Sequence, residues 1–213
     1  MADVAIVDYG MGNLRSVCKA IEHVAEGADV VVTSDPALVR ASTRVVFPGQ
    51  GAMPDCMREL DARGLRPAVL DAAANKPFLG ICIGQQMLFA HSEEGDVPGL
   101  AVFRGNVVRF PAAESMPTAD GGHLKVPHMG WNQVWRSTSH PLWDGIPDGD
   151  RFYFVHSYHV APADASLIAA ETDYGARFTS AVARDNIFAV QFHPEKSAAA
   201  GLCLLSNFVR WVP

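Results

Sequence analysis

The 213-residue sequence has no long hydrophobic run and little positive charge. A membrane-spanning helix needs about 18–20 apolar residues, and no apolar stretch of the sequence is that long. The first residues also lack the basic segment and apolar core of a secretory signal. We therefore expect a cytoplasmic protein with no membrane partner. The 17 basic and 23 acidic residues give a net charge of −6, which argues against nucleic-acid binding through phosphate neutralisation.

Cysteine is also scarce, and the four cysteines are far apart. None belongs to a C-x-x-C pair, so the sequence indicates neither a zinc site nor a disulfide framework and suits a reducing compartment. We expect no metal and no other cofactor. The sequence also contains no repeat and no low-complexity segment, and the one stretch with the composition of a flexible loop is "PAAESMPTADGGH". The interpretation is a single domain spanning residues 1–213.

The first ninety residues alternate between short apolar runs, typical of strands, and segments with apolar residues at helical spacing. The predicted strands are "DVAIVDYG", "DVVVTS", "RVVFPG" and "PFLGI"; the predicted helices are "NLRSVCKAIEHVAEG", "DPALVRAS", a region through Asp61 to Asn75, and "IGQQMLFAHSEE". In "DPALVRAS", Asp35 is the expected cap and Pro36 the first helical residue. Since each right-handed crossover needs a helix, this alternation predicts a parallel sheet covered on both faces.

The second half has a different pattern, with short strand candidates separated by turn-rich segments. The candidates are "VFRGNVVRF", "VPHMGWNQVW", "RFYFVHSYHV", "SLIAAET" and "FTSAVARD", followed by a last strand, "NIFAVQFHPE", and a last amphipathic helix, "AAAGLCLLSNFVRWV". We therefore predict an α/β protein: a flavodoxin-like, three-layer fold with a central, mostly parallel sheet and an added antiparallel portion in the second half. Ligands of such sheets bind beyond the carboxyl ends of the strands.

Cys82 follows the predicted strand "PFLGI" and stands between Gly80 and Gly84. An unpaired cysteine after an apolar run is often a small buried hydrophobe. However, a strand, G-x-C-x-G and a helix together resemble the nucleophile elbow, whose tight turn needs flanking glycines. The helix dipole would favour the thiolate, and the amide of Ile83 would face a developing oxyanion. We expect Gly84 to leave the start of the helix open to that oxyanion.

A second oxyanion donor is expected from the loop "PGQGAM", which follows the strand "RVVF". The backbone amides of Gln50 and Gly51 are the candidates. A plain glycine turn is the alternative interpretation of this loop.

The base that a cysteine nucleophile needs is expected at His193. This histidine follows the strand "IFAVQF", and Glu195 stands two residues on in "HPE". Extended residues two apart point to the same side, and Pro194 disfavours helix at His193. Glu195 is therefore expected to orient the imidazole. The H-x-E pattern also occurs in zinc deaminases, but the C-x-x-C that they require downstream is missing.

In order along the chain, "PGQGAM", "GICIGQQ" and "QFHPEKS" resemble the triad-type (class I) glutamine amidotransferase domain. The resemblance implies that Cys82, His193 and Glu195 form a triad that attacks the side-chain amide of L-glutamine. Cys82 would form a glutamyl thioester with loss of ammonia, and water would then release glutamate. It also implies that Gln86, four residues after the nucleophile, helps to hold the substrate.

Three further segments, "VDYGMGNLRSV", "VPHMGWNQV" and "YFVHSYHV", are similar to one branch of this family, the glutaminase subunits of imidazole glycerol phosphate synthases. That similarity implies a separate cyclase subunit with a (β/α)8 barrel, which would use the ammonia to convert PRFAR into imidazole glycerol phosphate and AICAR. Two positions depart from the family pattern: Gln50 stands where valine is common, and Gln85 where methionine is common.

The resemblance also implies further contacts. "GMGNLR" lacks the third glycine of a dinucleotide loop; Asn13 there is a partner-contact candidate, with helix capping as the alternative. Met129 and Trp131 are interface candidates, with burial of Trp131 in the core as the alternative. The pocket-lining candidates are His156, Ser157 and Tyr158.

The remaining predictions concern histidines. Strand alternation places His156 and His159 on opposite faces, and solvated surface is expected for His91, His123 and His140.

Three rival functions stay open: a glutaminase for another synthase such as anthranilate synthase, a stand-alone cysteine hydrolase or peptidase, and a regulatory subunit with an idle triad. The presence of Cys82, His193 and Glu195 argues against the last of these.

Overall fold

The computed structural model describes residues 2–116 and 122–213. Residues 117–121, in the middle of the predicted loop "PAAESMPTADGGH", lie outside the described residues. Within the described part of the chain, no helix combines the length and the apolar character that crossing a bilayer requires.

The first half builds parallel strands joined by helices. Its strands are β1 (Val4–Val7), β2 (Val30–Thr33), β3 (Arg44–Gly49) and β4 (Phe78–Cys82); its helices are α1 (Leu14–Val24), α2 (Pro36–Ala41), α3 (Met53–Ala62) and α4 (Arg66–Asn75). The predicted start of α2 is confirmed, because Oδ1 of Asp35 accepts a 2.8 Å hydrogen bond from the amide of Ala37 and Pro36 is the first helical residue. The region predicted as helical through Asp61 to Asn75 is divided between α3 and α4, since Gly64 between them adopts a φ of +66°.

The segment after Cys82 differs from its prediction. Only one helical turn, α5 (Ile83–Gln86), follows the cysteine, and the chain then enters strand β5 (Phe89–Ser92). The carbonyls of Met87 and Leu88 accept hydrogen bonds from the amides of Leu100 and Phe103, so the later chain replaces the bonds that would continue a helix. The apolar run fits a buried strand as well as a helix, which is why its spacing was misleading.

The second half supplies mostly antiparallel strands, and two of its strands pair in parallel with β4 and β5. Its strands are β6 (Val97–Pro98), β7 (Phe103–Arg109), β8 (His128–Gln133), β9 (Trp135–Arg136), β10 (Arg151–His156), β11 (Tyr158–Pro162), β12 (Ile168–Tyr174), β13 (Ala176–Arg184) and β14 (Ile187–Val190); the last helix is α6 (Ala198–Arg210). The main sheet has the order β2-β1-β3-β4-β14-β13-β11-β7-β5-β6, and β8 pairs with β10 in a separate antiparallel ribbon. This architecture confirms the predicted fold class.

Helices cover both faces of the parallel part. Helix α1 packs against α6, and α2 packs against α4. Because the strand order reverses after β2 and crossovers are right-handed, the two pairs lie on opposite faces. Large apolar side chains such as Phe47, Phe78, Phe188 and Phe208 are completely buried between the layers.

The register of the central strands brings three chain segments together at one edge. Gly49 at the end of β3 lies beside Cys82 at the end of β4, and Val190 of β14 lies beside Ile81. The three strands are parallel, so the residues that follow each of them leave the sheet at the same edge. The glycine loop, the elbow and the segment before His193 therefore meet there.

Candidate active site

Cys82 has the backbone of a strained elbow. Its φ of 55° and ψ of −112° are rare for a residue with a side chain, and the strain of such a conformation costs about 1–3 kcal/mol. The residue closes β4 and opens the one-turn helix α5, as the nucleophile-elbow pattern predicts. Only 5% of Cys82 is exposed, and its side chain lines a cavity.

The two flanking glycines are required by close packing. A Cβ on Gly84 would lie 1.8 Å from the carbonyl oxygen of Phe47, and a Cβ on Gly80 would lie 2.9 Å from Cβ of Ala189. Gly84 lets the elbow approach the neighbouring strand β3. The expectation that it also keeps the helix start open to an oxyanion stays a prediction.

His193 and Glu195 form a buried pair. Nδ1 of His193 lies 2.9 Å from Oε1 of Glu195, and the two side chains are 5% and 1% exposed. The backbone of His193 is fixed on both sides: its amide donates to the carbonyl of Tyr153, and its carbonyl accepts from the hydroxyl of Ser197 at 2.6 Å. The orientation of the imidazole is therefore set before any substrate arrives.

The electrostatics of this pair favour an imidazolium. Burial lowers the pKa of His193, but the neighbouring Cys82 thiolate and the Glu195 carboxylate outweigh it and raise the pKa to about 10. An imidazolium beside the sulfur in turn stabilises the thiolate. The geometry places a protonated imidazole next to the nucleophilic sulfur.

The glycine loop borders the same cavity. Gln50 and Gly51 line it together with Cys82 and Ile83. The Cys56 thiol donates a long hydrogen bond, 3.7 Å, to the carbonyl oxygen of Gln50. Gly51 has a φ of +112°, and a Cβ there would lie 2.8 Å from Cε of Met11, so the loop is packed between α3 and the segment after β1.

The cavity has a volume of about 250 Å³. Its lining residues are Gln50, Gly51, Cys82, Ile83, Gln86, Glu94, Pro127, Val155, His156, Ser157, Tyr158 and His193. The predicted lining residues His156, Ser157 and Tyr158 lie on this wall. Sequence reasoning missed Glu94, whose Oε2 accepts a 2.8 Å hydrogen bond from the amide of Met53, because its segment was interpreted as helix.

The two glutamines of the elbow differ in their surroundings, although both are buried. Gln86 donates through Nε2 to the carbonyl of Tyr158 at 3.0 Å and to Oε1 of Gln191 at 2.9 Å. Gln85 points away from the cavity and donates to the carbonyl of Ala189 at 3.1 Å. The departure at Gln85 therefore lies in the packing of β14 against the elbow.

The prediction that His156 and His159 lie on opposite faces is wrong. The strand breaks at Ser157, so His156 ends β10 and His159 belongs to β11 in the other sheet. Both rings pack against Phe110, with centroid distances of 5.1 and 4.8 Å. Burial lowers the pKa of His156 well below its usual value, and its Nε2 lies 2.9 Å from Nδ1 of His128. His156 is therefore a neutral wall residue.

Of the three histidines expected at the surface, His123 is exposed, and the other two are only partly exposed. His91 is partly exposed and lies 2.9 Å from Oδ1 of Asp96. The expectation fails for His140, whose ring packs against Phe188 and Trp211 and whose pKa burial lowers to about 4.

The interface candidates lie on the surface. Met129 and Trp131 are 62% and 49% exposed, which is inconsistent with burial of Trp131 in the core. They stand two residues apart on β8, so their side chains share one face, while His128 between the ribbon and the sheet is buried. Asn13 occupies the N-cap position of α1, but its side chain makes no capping hydrogen bond, so the capping alternative is confirmed for its position only.

Among the described residues, no group of three or more His, Cys, Asp or Glu side chains is arranged to hold a metal ion. The fold and the site together define a class of protein: an α/β enzyme with a cysteine on a nucleophile elbow, next to a buried His-Glu pair.

The particular family follows from comparison with known proteins. The model of the class-I glutamine amidotransferase family matches residues 5–211, and the chain belongs to that family. A protein of Aromatoleum aromaticum named imidazole glycerol phosphate synthase subunit HisH is 75% identical to this chain, and the match covers the whole length of both. A protein of the same name from Dechloromonas aromatica is 69% identical over 99% of this chain and 97% of the other.

Solved structures agree on the fold. The structure of PurLQS from Thermotoga maritima is similar with a TM-score of 0.69 at 16% identity, covering 99% of each chain. The glutaminase domain of a Trypanosoma brucei CTPS is similar with a TM-score of 0.63 at 18% identity, covering 100% of this chain and 96% of the other. The family resemblance that the sequence motifs indicated is confirmed by the family model and by the relatives of high identity.

Proposed function

We propose that the chain is the glutaminase subunit of an imidazole glycerol phosphate synthase in L-histidine biosynthesis. The observation that carries this proposal is the identity, from 59% to 75% over at least 98% of the chain, to curated proteins that bear that subunit name. The buried Cys82, His193 and Glu195 are what such a subunit needs, which argues against a regulatory subunit with an idle triad.

The proposed reaction begins at the sulfur. The Cys82 thiolate adds to the side-chain carbonyl carbon of glutamine and gives a tetrahedral oxyanion. The His193 imidazolium donates its proton to the amide nitrogen as the C–N bond breaks, so ammonia leaves and a glutamyl thioester remains. The now neutral His193 takes a proton from water, whose oxygen attacks the thioester carbon. Collapse of the second oxyanion releases glutamate and restores the thiolate–imidazolium pair.

The oxyanion hole is assigned to the backbone amides of Ile83 and of Gln50 or Gly51. Their support is location: the elbow and the glycine loop border the cavity side by side because Gly49 and Cys82 are register partners. Donors of this kind are commonly worth about 3–4 kcal/mol of transition-state stabilisation. A loop packed against α3 and Met11 must keep or acquire the right amide orientation for this role.

The rest of the cavity suits an amino acid. The buried Gln86 presents an amide group at the cavity wall, next to Tyr158, whose carbonyl accepts from its Nε2, and Ser157 lines the same cavity. Glu94 is the carboxylate of the lining, and we assign to it the α-ammonium group of glutamine. The hydrogen bond that the Glu94 carboxylate accepts from the amide of Met53 holds its side chain next to the end of the glycine loop.

The proposed partner is a cyclase subunit with a (β/α)8 barrel, in which ammonia converts PRFAR into imidazole glycerol phosphate and AICAR. Asn13, Met129 and Trp131 are its proposed contacts. Exposed methionine and tryptophan on one face of β8 are typical interface anchors. Because free ammonia is mostly protonated at neutral pH, delivery through an enclosed path between the subunits is chemically sensible.

Two further proposals concern the chain as a whole. One hydrophobic core cluster includes residues from both halves, such as Val4, Phe103 and Phe208, which supports a single domain over residues 1–213. All four cysteines are free, which suits a reducing, cytoplasmic location.

The decisive experiment is a glutaminase assay of the purified chain alone, with a candidate cyclase, and with the cyclase and its nucleotide ligand. We expect strong stimulation by the complete pair. High activity without any partner would support a stand-alone hydrolase instead. Stimulation by the partner of anthranilate synthase, and not by a cyclase, would assign the chain to that synthase.

A further inference from the structure

Gln191 is a completely buried amide between the elbow and the substrate wall, and the proposed chemistry leaves it without a role. It follows β14 and precedes His193 by two residues. Its Nε2 donates to Sγ of Cys82 at 3.7 Å, and its Oε1 accepts from Nε2 of Gln86 at 2.9 Å. One side chain therefore contacts both the nucleophile and the glutamine that faces the substrate.

The orientation of this amide follows from its neighbours. Gln86 uses its amide nitrogen for two bonds, one to the carbonyl of Tyr158 and one to Gln191. A carbonyl can only accept, so the NH₂ group of Gln86 must face Tyr158, and Gln191 must present its oxygen to Gln86. The nitrogen of Gln191 is then left to face the sulfur of Cys82. Reversing the amide would set two NH₂ groups against each other and would leave no donor of Gln191 for the Cys82 thiolate.

We propose that Gln191 is a positioning residue of the glutaminase reaction: its amide N–H holds the Cys82 thiolate in place, and its carbonyl orients Gln86 toward the bound glutamine. The inference rests on the proposed function. A hydrogen bond from a neutral amide is stronger to a thiolate than to a thiol, so it favours the reactive form without competing for the proton that His193 carries. The link also couples the position of the nucleophile to that of the substrate.

Several other ionisable groups act on Cys82 and stay unchanged when Gln191 is replaced. His193 and Glu195 lie in the segment after β14, Tyr9 follows β1, and Cys56 is in α3. Glu94 and His156 stand on the cavity wall. A change in the pH dependence of Cys82 reactivity on replacing Gln191 alone therefore reports the loss of its N–H group.

The test is Gln191→Met, which keeps the length of the side chain and removes both the donor and the acceptor. The rate of alkylation of Cys82 by iodoacetamide is followed on the full chain by peptide mass spectrometry across neutral and alkaline pH. We expect the rate near neutral pH to fall about tenfold and the midpoint of its rise to move up by about one pH unit, equivalent to about 1.4 kcal/mol. In the complex with the cyclase, KM for glutamine should rise as well.

The matched control is Gln85→Met, the same replacement at the adjacent buried glutamine of the elbow, whose amide bonds only to Ala189. It should leave the alkylation profile unchanged. A second variant, Gln191→Glu, keeps an oxygen for Gln86 but places no N–H at the sulfur. It should depress alkylation at least as much as Gln191→Met while raising KM less.

An alkylation profile of Gln191→Met and Gln191→Glu that coincides with the parent would overturn the inference, whatever happens to turnover. Failure of the proposed function looks different: Cys82 of the parent chain would then show no enhanced reactivity over Cys18 and Cys203. If Gln191→Met does not fold, the Gln191→Glu profile decides alone.

Discussion

Nδ1 of His193 and Oε1 of Glu195 are 2.9 Å apart, and this carboxylate is almost completely withdrawn from solvent. Such a carboxylate costs free energy to bury and is retained only when a partner compensates it. Here the partner is an imidazole whose proton is also attracted by the Cys82 thiolate. Glu195 therefore supplies the fixed negative charge that helps to keep the imidazole of His193 protonated.

Replacement of Glu195 by glutamine should therefore impair catalysis more than binding. The amide keeps the shape but removes the charge that raises the pKa of His193, and it allows the wrong tautomer of the imidazole. We expect kcat for glutamine hydrolysis in the cyclase complex to fall about 10²–10⁴-fold, as for loss of the corresponding carboxylate in hydrolytic triads. Glu171→Gln, at a surface glutamate paired with Arg177, is the control and should retain activity. Parental activity in Glu195→Gln would exclude this role.

Replacement of Cys82 by alanine should abolish glutamine hydrolysis and leave ammonia-driven synthesis by the partner intact, because the cyclase reaction needs ammonia and not the sulfur. Both activities are measured on the same reconstituted complex. Cys18→Ala, at another free cysteine of the chain, should change neither. Glutamine hydrolysis near the parental rate in Cys82→Ala would show that the triad assignment is wrong.

Gly84→Ala should be far more destabilising than an ordinary glycine replacement. The added methyl group would lie 1.8 Å from the carbonyl oxygen of Phe47, which is backbone of a central strand and cannot move away cheaply. We expect a loss of at least about 3–4 kcal/mol in the free energy of unfolding, or no folded protein. Gly27→Ala is the comparison: its φ is +80° but nothing lies within 4 Å of the new group, so the loss should be only about 1 kcal/mol. Equal losses would show that the elbow can shift.

The alternation of strands and helices, the elbow and the motif order were enough to predict the fold class and to select Cys82, His193 and Glu195 as one site. These features depend on local spacing and on the rule that parallel strands end at one edge. The one-turn length of α5 could not be predicted, because a continuous apolar run fits either a helix or a buried strand and the hydrogen bonds from Leu100 and Phe103 decide.

Contacts between residues that are far apart in sequence explain the other features that could not be predicted. Gln191 is the first residue of the motif "QFHPEKS", but the motif does not show what its side chain contacts, because those contacts come from the register of β14 beside β4. Glu94 belongs to no motif, and its position comes from the turn that follows β5. The break of the strand at Ser157 depends on two sheets that diverge there, so alternation failed for His156 and His159. The packing of His140 against Trp211 joins segments about seventy residues apart in sequence, at residues 140 and 211.

The buried histidines predict acid sensitivity. Burial lowers the pKa of His128 and of His140 to about 4, whereas in the unfolded chain each has a pKa of about 6.5. As pH falls from about 6.5 to about 4, the unfolded state binds protons that the folded state does not, so the free energy of unfolding decreases in that window. We expect about 1–2 kcal/mol per histidine at pH of about 5, measured by urea unfolding.

His140→Asn separates this effect from other acid-sensitive groups. Asparagine can still accept the hydrogen bond from the amide of Leu142 but does not titrate, so the variant should be less stable at neutral pH and lose less stability on acidification. His123→Asn, at an exposed histidine, should keep the parental pH dependence. An unchanged slope in His140→Asn would show that its imidazole takes up a proton at the same pH in the folded and the unfolded chain.

Trp131 should be a principal anchor for the cyclase. Its indole is half exposed on β8, beside the more exposed Met129, and its ring meets that of Tyr153 edge-on at a centroid distance of 6.3 Å. Loss of a central aromatic anchor typically costs about 2–4 kcal/mol of binding free energy, so Trp131→Ala should weaken cyclase binding at least about thirtyfold in calorimetry. Leu38→Ala, at an exposed leucine of α2, should bind normally.

The backbone carbonyl of Tyr153 accepts a hydrogen bond from the amide of His193, so Trp131 is linked through the ribbon to the segment that carries the base. Trp131→Ala should therefore also reduce stimulation of glutaminase activity when the cyclase is saturating, and unchanged affinity would place the interface on another face.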